Sequence, residues 1–277
     1  MSKIDSRAYI EEGAKIGKDV TIEPFAVIKK NVVIEDRVVI KSNAYLDGNT
    51  TIKEGSTIWP GASIGTKTQD LKFQGEETFV IIGKNTEIRE YATINSSCNE
   101  NSTVSIGDNC LIMAYCHVAH NCRVGNRVIM ANGAMLAGHV VVEDNAVIGG
   151  MTPVHQFARI GTFSMVGGFS RVSHDIPPYT IGGGYPYRLG GLNLVGLKRN
   201  NFSLETRNVL GEAFKIVYRM GLRLDIALEK IEKELILTKE LEHFLNFCKT
   251  TKRGLIGLEG ITKLNQKEAN IEEFEKV

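Results

Sequence analysis

Residues 4–63 read, in consecutive blocks of six, IDSRAY, IEEGAK, IGKDVT, IEPFAV, IKKNVV, IEDRVV, IKSNAY, LDGNTT, IKEGST and IWPGAS. Every block begins with isoleucine or leucine, and its fifth residue is usually small. The aliphatic series keeps this phase as far as Val172, with interruptions after Ile64 and Ile94. Because a helix repeats its faces every 3.6 residues or so and a simple strand about every two, a strict period of six excludes a run of amphipathic helices.

This period predicts a mainly β protein built as a parallel β-helix. Six residues fit one short strand and a turn, and hexapeptide repeats are a signature of β-helices, whose units bury their aliphatic residues only by stacking. Three units would close a triangular coil of about eighteen residues, with coils stacked about 4.8 Å apart. The aliphatic residues would fill the interior and the small residues the corners. We expect this β-helix to span residues 1–190.

Two polar stretches without hexad order interrupt the repeat. We expect them to leave the solenoid as excursion loops near 66–80 and 95–104. Loops on a rigid scaffold often carry function, and Asp70 and Lys72 in the first loop could reach a bound ligand. The alternative is a loop that is simply solvated.

A helical domain should follow the β-helix, over residues 191–277. Beyond a Gly-rich passage, the spacing of the apolar residues changes to that of amphipathic helices. We expect three helices: one from a Ser203 N-cap to a Gly221 stop, one from an Asp225 N-cap to about Leu237, and one from a Thr238 N-cap to about Lys249. They would shield the open C-terminal end of the solenoid. The polar tail from Asn265 to Val277 should be frayed.

The composition limits the classes of function. The formal net charge is +1, which argues against a nucleic-acid-binding protein whose whole body is basic. We see neither a membrane span nor a signal peptide and expect a cytoplasmic protein. The five cysteines form no C-x-x-C pair. Cys110, Cys116 and Cys122 occupy small-residue positions of the hexads, which indicates structural burial.

Five of the six histidines lie in the last third of the predicted solenoid: His117, His120, His139, His155 and His174. Steps of eighteen residues, the predicted coil length, lead from His120 to Gly138, to Gln156 and to His174, and His139 and His155 are next to the middle two. We therefore expect a column of histidines on adjoining coils. Histidine titrates near neutral pH, so such a column could serve as a general-base site. The alternative is that the histidines only fill turn positions.

A zinc site is the main chemical alternative for these histidines, because zinc-dependent carbonic anhydrases use the same hexapeptide scaffold. Those enzymes space their ligands as one histidine, a long gap, and two histidines separated by four residues. Here His117 and His120 are separated by two residues, the later gaps are longer, and carboxylates are sparse nearby. We therefore predict no metal ligands and no cofactor.

Seven motifs occur in order along the chain: QDLK at 69–72, AHNC at 119–122, LAGHV at 136–140, IGGMT at 148–152, VHQF at 154–157, NLVGLKR at 193–199 and RGLI at 253–256. Together they closely resemble the UDP-N-acetylglucosamine O-acyltransferases, the first enzymes of lipid A synthesis in Gram-negative bacteria. The likeness covers roughly residues 1–256. It implies that the β-helix is left-handed, although parallel crossovers are normally right-handed.

The resemblance implies transfer of an acyl group from acyl carrier protein to the glucosamine 3-hydroxyl of UDP-N-acetylglucosamine. His120 would be the general base, and the backbone N–H of Gly138 would bind the oxyanion of the tetrahedral intermediate. Gly168 matches the position that lets a long acyl chain pass, which implies a long fatty acid. The other implied substrate-binding residues are Asp70, Lys72, His117, Asn121, His139, His155, Gln156, Asn193 and Arg199.

The chain departs from the family pattern at three positions. Asn121 follows the histidine where many relatives have aspartate, and an amide can orient the ring but cannot stabilise an imidazolium as a carboxylate does. A backbone carbonyl is the alternative orienting group. Val195 and Asn200 replace a glutamate and an arginine of many relatives, which implies fewer contacts at the uridine end.

The resemblance also implies partners. Acyl carrier protein is acidic, so we expect a basic surface on the helical domain and its approach. Relatives are homotrimers with active sites between solenoids. One enzymatic alternative is the N-acyltransferase of the same pathway, which acts on a UDP-amino sugar and has a globular uridine-binding domain before its repeats, whereas the repeats here begin at Ile4. A metal-dependent hydratase is the other.

Overall fold

The computed structural model describes residues 1–258, and the predicted frayed tail from Asn265 to Val277 lies outside them. Strands three apart in the chain pair in parallel and form three sheets, so the chain winds as a parallel β-helix. The β-helix is left-handed. The predicted fold class is therefore confirmed. The strands of the described solenoid are β1 (Lys3–Ile4), β2 (Tyr9–Ile10), β3 (Lys15–Ile16), β4 (Thr21–Ile22), β5 (Val27–Ile28), β6 (Val33–Ile34), β7 (Val39–Ile40), β8 (Tyr45–Leu46), β9 (Asn49–Ile52), β10 (Thr57–Ile58), β11 (Ser63–Thr66), β12 (Phe79–Ile82), β13 (Glu87–Ile88), β14 (Thr93–Asn95), β15 (Thr103–Ile106), β16 (Leu111–Ile112), β17 (His117–Val118), β18 (Arg123–Val124), β19 (Ile129–Met130), β20 (Met135–Leu136), β21 (Val141–Val142), β22 (Val147–Ile148), β23 (Pro153–Val154), β24 (Arg159–Ile160) and β25 (Met165–Val166).

Most coils contain eighteen residues, as the repeat predicts. Ile4 pairs with Ile22 and Ile22 with Ile40, and both steps (22 − 4 and 40 − 22) are eighteen. From Ile22 to Val172, the aliphatic residue that opens each hexad is buried in one continuous core. Burial of these side chains against their counterparts on neighbouring coils is what holds the short strands together.

The hexads turn through residues in the left-handed backbone conformation, three positions after the aliphatic residue. The φ angle is +61° at Asn43, +56° at Asn109 and +57° at Asn121. Asparagine tolerates this conformation better than most residues. Residues at these corners recur every eighteen positions, so their side chains can stack along an edge of the prism.

The predicted burial of Cys110, Cys116 and Cys122 in the solenoid is confirmed. Burial raises the pKa of each thiol, to about 11 for the first two and about 12 for Cys122. These cysteines are therefore unreactive packing residues.

Two adjoining coils are longer than the others. Ile58 pairs with Ile88, a step of 30 (88 − 58), and Ile88 pairs with Ile112, a step of 24 (112 − 88). The additional residues form irregular segments at 67–78, the first loop, and 96–102, the second loop. The two loops follow β11 and β14, which pair with each other, and β14 pairs with β17. Both loops therefore leave the solenoid beside the turn that follows β17.

Up to residue 258, the described C-terminal part contains two strands and four helices: β26 (Thr180–Gly183), β27 (Arg188–Leu192), α1 (Leu194–Arg199), α2 (Leu204–Arg219), α3 (Leu224–Glu234) and α4 (Lys239–Lys249). The predicted boundary at residue 190 falls within β27, which pairs antiparallel with β26 and extends one sheet of the solenoid. Ser203 and Thr238 accept N-capping hydrogen bonds, and Gly221 follows α2 with a φ of +66°, as predicted.

Two predictions for the second helix are wrong. The N-cap of α3 is Arg223, and Asp225 lies in the first helical turn, where it forms an ion pair with Arg223. A carboxylate in the first turn interacts favourably with the helix dipole but does not cap the helix. The helix also ends at Glu234, before the predicted Leu237. The six-residue helix α1 was not predicted, because it is too short to show a helical period.

The helical part is joined to the solenoid by polar contacts. Asp175 is 1% exposed, its Oδ2 lies 3.0 Å from Arg159 Nε, and it accepts a hydrogen bond from Thr251. On α4, His243 Nε2 lies 2.8 Å from Glu143 Oε2. Among residues 1–258, no helix combines the length and apolar character needed to cross a membrane.

Candidate active site

His120 lies in the turn after β17, beside the two loops. Its Nδ1 is 2.9 Å from Asn121 Oδ1 and 3.3 Å from Cys98 Sγ. On the other side of the ring, Nε2 is 3.6 Å from Asp70 Oδ2. The side chain is only 16% exposed, and these polar neighbours hold the ring in place.

Asn121 determines the orientation of this ring. Its Nδ2 donates a hydrogen bond to Asn99 Oδ1 at 3.1 Å, which turns its Oδ1 toward His120. The thiol of Cys98 donates to the same Oδ1 at 3.0 Å. Because an amide oxygen can only accept, Nδ1 of the neutral ring carries the proton and Nε2 keeps its lone pair. The side-chain amide, and not a backbone carbonyl, orients the histidine.

The first loop brings Asp70 to the free side of His120. The backbone N–H of Lys72 donates to Asp70 Oδ1 at 2.9 Å. This bond lowers the pKa of Asp70 below its usual value, and the nearby His120 lowers it further. The carboxylate is therefore ionised at neutral pH and can stabilise an imidazolium. The side chain of Lys72 is exposed at the edge of this site.

Gly138 lies against His120 on the next coil. A Cβ at this position would be 2.4 Å from both Cε1 and Nε2 of the imidazole. Such a separation is well inside van der Waals contact. Only glycine therefore leaves room for the ring.

The backbone N–H of Gly138 is a candidate hydrogen-bond donor to a ligand. At eight equivalent turns of the described solenoid, the N–H two positions after the aliphatic residue donates to a side-chain oxygen of a neighbouring coil; Lys18 to Asp36 and Thr162 to Glu143 are examples. Within residues 1–258, no hydrogen bond from the Gly138 N–H is found. An N–H without a protein acceptor, next to a base, can bind an oxyanion.

The predicted histidine column is only partly right. His139 packs edge-on against His120, with ring centroids 5.2 Å apart, but the next ring is Phe157, 4.6 Å from His139. His155 does not join this stack, and its Nδ1 lies 3.1 Å from the carbonyl oxygen of Gln156. The stacked rings at 139 and 157 occupy left-handed corners, with φ of +61° and +65°. His155 precedes its corner by two residues, so its side chain does not point toward the stacked rings.

The other two histidines have different surroundings. Nδ1 of His117 lies 2.7 Å from Thr93 Oγ1. Burial lowers the pKa of both His117 and His139, so both rings are neutral at neutral pH. His174 lies beside Gly254, at the junction with the C-terminal part, and is the second departure from the predicted column.

The remaining predicted residues lie along the solenoid and its extension. Gln156 and Gly168 are exposed. Asn193 caps α1: its Oδ1 accepts from the N–H of Gly196, and its Nδ2 donates to the carbonyl of Phe163, both at 3.0 Å. Both polar atoms are thus used in the fold. Arg199 is exposed in the last turn of α1.

Sequence reasoning missed three residues of the His120 environment. Cys98 and Asn99 belong to the second loop, where the hexad gives no register. Phe157 could have been found, because it is eighteen residues beyond His139. Cys98, His120 and His139 also form a possible ligand set, with one donor atom from each within 4.8 Å of the others.

Comparison with protein families gives two matches. Residues 175–256 match the family described as UDP-N-acetylglucosamine O-acyltransferase, domain 2. Residues 31–66 and 103–138 match the bacterial transferase hexapeptide family. The first match covers the helical part, and the second covers segments of the solenoid.

Curated relatives agree with these matches. A protein of Chlamydia trachomatis serovar D, named acyl-(acyl-carrier-protein)-UDP-N-acetylglucosamine O-acyltransferase, is 60% identical over 256 residues, covering 92% of this chain and 91% of the relative. The protein of the same name from Chlamydia caviae is 56% identical, covering 92% of each chain.

Solved structures give the same result. The UDP-N-acetylglucosamine acyltransferase of Bacteroides fragilis is 41% identical, with a TM-score of 0.89 over 91% of this chain and 99% of that one. The enzyme of Campylobacter jejuni is 40% identical, with a TM-score of 0.86 over 92% and 99%. At this identity and coverage, the chain belongs to the UDP-N-acetylglucosamine O-acyltransferase family.

Proposed function

We propose that the protein transfers a long-chain fatty acyl group from acyl carrier protein to the glucosamine 3-hydroxyl of UDP-N-acetylglucosamine, as the first step of lipid A biosynthesis. The names of the relatives support both substrates. The observation in the structure that carries the proposal is the pairing of His120 with Asn121, which leaves Nε2 free beside Gly138.

In this mechanism, His120 is the general base. Its Nε2 takes the proton of the 3-hydroxyl while the hydroxyl oxygen attacks the thioester carbon. The tetrahedral intermediate then collapses, the C–S bond breaks, and the thiolate of the carrier protein leaves and takes the proton from the imidazolium. Asp70, 3.6 Å from Nε2, stabilises the imidazolium between the two steps.

Gly138 would supply the N–H that binds the oxyanion. A preorganised backbone donor of this kind typically contributes on the order of 10²–10³ in kcat. The absence of a side chain also lets the thioester approach His120.

The remaining predicted residues are assigned as substrate contacts. His139, His155 and Gln156 would line the sugar pocket, with His117 nearby, and Asp70 and Lys72 would hold the glucosamine and phosphate region. Gly168 would border the path of the acyl chain. Arg199, with an exposed guanidinium, is the better uridine or phosphate ligand, because the side chain of Asn193 already caps α1. Asn121 acts on His120 and not on the substrate.

We further propose that the enzyme works in the cytoplasm as a homotrimer. Acyl carrier protein is acidic, and Lys198 and Arg199 at the end of α1 are exposed cations that could attract it. Sedimentation analysis of the purified protein tests the trimer.

The function is tested with purified protein, UDP-N-acetylglucosamine and a panel of acyl carrier proteins that carry different acyl chains. We expect product with long chains, and His120→Ala should lose on the order of 10²–10⁴ in kcat while remaining folded. A His120→Ala variant with normal turnover would refute the base assignment. Replacing the acceptor by its 3-amino analogue shows whether an amine is preferred, which would favour N-acyl transfer.

A further inference from the structure

The cluster of Cys98, His120 and His139 offers chemistry that acyl transfer does not require. Cys98 Sγ lies 3.3 Å from His120 Nδ1, and one donor atom of His139 lies within 4.8 Å of one from each of the other two. All three side chains are half-buried. Among the cysteines within residues 1–258, Cys98 is the one that is not fully buried.

We propose that Cys98, His120 and His139 bind Zn²⁺ and that the bound ion reversibly inhibits the enzyme. The inhibitory part rests on the proposed function. A thiolate and two imidazoles are preferred ligands of Zn²⁺, with bonds of about 2.3 Å to sulfur and about 2.0–2.1 Å to nitrogen. Donor atoms within 4.8 Å of one another need only small side-chain movements to reach such bonds. The fourth position is left for water or Asn121 Oδ1.

Binding would rearrange two protons. The Cys98 thiol loses its proton to solvent as the Zn–S bond forms. When Nδ1 of His120 gives its lone pair to the metal, the ring proton moves to Nε2.

The proton shift explains the inhibition. With the metal on Nδ1, the hydrogen bond to Asn121 is broken and Nε2 carries the ring proton. It can no longer accept the proton of a sugar hydroxyl. Mg²⁺ should not have this effect, because it prefers oxygen ligands.

Direct binding is measured first, without substrates, by titrating the metal-free protein with Co²⁺, which reports a thiolate ligand through a sulfur-to-metal charge-transfer band. We expect one ion per chain, displaced by Zn²⁺. The band should disappear in Cys98→Ser and persist in the matched control Cys110→Ala, whose thiol is buried. Loss of a ligand should weaken Zn²⁺ binding by more than the roughly 10–100-fold typical for loss of an outer-shell partner.

Inhibition is then measured in the acyl transfer assay, with each variant scored against its own activity in chelator. Zn²⁺ should inhibit wild type and Cys110→Ala, chelator should restore activity, and Cys98→Ser should resist. If no thiolate band appears, or if Cys98→Ser binds and responds like wild type, the proposal is wrong. Activation by Zn²⁺ would also overturn it. A protein that binds Co²⁺ through Cys98 but never transfers acyl groups would refute the proposed function and leave the metal site standing.

Discussion

Asn121 has to hold His120 Nδ1 without the negative charge that a carboxylate would bring. Asn121→Gly tests this role cleanly, because glycine adopts the local φ of +57° without strain. A neutral hydrogen bond contributes about 0.5–1.5 kcal/mol, so we expect kcat to fall roughly three- to tenfold. The KM should hardly change, because Asn121 does not contact substrate in the proposed mechanism.

Asn121→Asp is the matched control. It keeps an oxygen that accepts from Nδ1–H, so it should retain more activity than the glycine variant. Steady-state kinetics and a denaturant titration of both variants decide the matter. A glycine variant with wild-type kcat would show that Asn121 does not orient the histidine.

Gly138 offers a second test at the level of one residue. In Gly138→Ala, the new Cβ would be 2.4 Å from the His120 ring, which must move away. Because a displacement of about 1 Å at a catalytic group can cost on the order of 10² in rate, we expect a loss of that size in kcat. Gly211→Ala is the control, since the nearest atom to its added Cβ is 3.8 Å away. Equal kinetics for the two variants would contradict the assigned role of Gly138.

At the level of elements, the sequence predicts what the hexad controls and little beyond it. The coil length correctly predicted that Gly138 lies next to His120, because both residues are in regular turns, where the position in the sequence fixes the position in the solenoid. The same coil length gave a wrong prediction for His155, because a residue two places before a corner does not share the orientation of a residue at the corner. The positions of Cys98 and Asn99 could not be predicted from the sequence, because the path of the second loop depends on tertiary contacts and not on the hexad repeat.

The contact between α4 and the solenoid should depend on pH. Hydrogen bonding to Glu143 raises the pKa of His243 above its ordinary value, although burial opposes this. A group with a raised folded pKa contributes its full stabilisation below the unfolded pKa of about 6.5, and this stabilisation is lost as pH rises through the folded pKa. The thermal midpoint of the wild type should therefore be lower at pH ~9 than at pH ~6. The corresponding decrease should be smaller in His243→Gln, which lacks the titrating group.

The size of this effect is limited by solvent. The side chain of His243 is 39% exposed, so solvent screening limits the stabilisation by the His243–Glu143 pair to about 0.2–1 kcal/mol. This corresponds to a shift of the thermal midpoint of at most about 4 °C in a chain of this size. Calorimetry at the two pH values measures it. Identical pH dependence in wild type and His243→Gln would mean that the pair does not stabilise the junction.

At the scale of the whole molecule, stability is distributed unevenly. Each coil of the solenoid is stabilised mainly by its two neighbours, so the solenoid needs something to cover its last coil. The segment after α4 does this: Ile256 is buried with the aliphatic residues of the solenoid, while Leu255 joins the core of the helices. One short segment therefore belongs to both cores and connects them.

Asp175 is the polar centre of that connection. Its carboxylate accepts from the backbone N–H and Nε of Arg159 and from Thr251, and its backbone N–H and carbonyl bond to Gly254 and Ile256. In Asp175→Ala, the Arg159 guanidinium, whose side chain is 23% exposed, loses its carboxylate. Removing one partner of a buried ion pair typically costs about 3–5 kcal/mol, and partial exposure places this case near the lower end.

We expect this loss to fall on the junction and not on the solenoid as a whole. In a denaturant titration of Asp175→Ala followed by circular dichroism, the helical signal should be lost at lower denaturant than the β signal, whereas in wild type the two should be lost closer together. Asp36→Ala is the control, because Asp36 also accepts a backbone hydrogen bond from the neighbouring coil but lies far from the helices in the chain. If Asp175→Ala and Asp36→Ala shift both signals equally, Asp175 does not couple the two parts of the molecule.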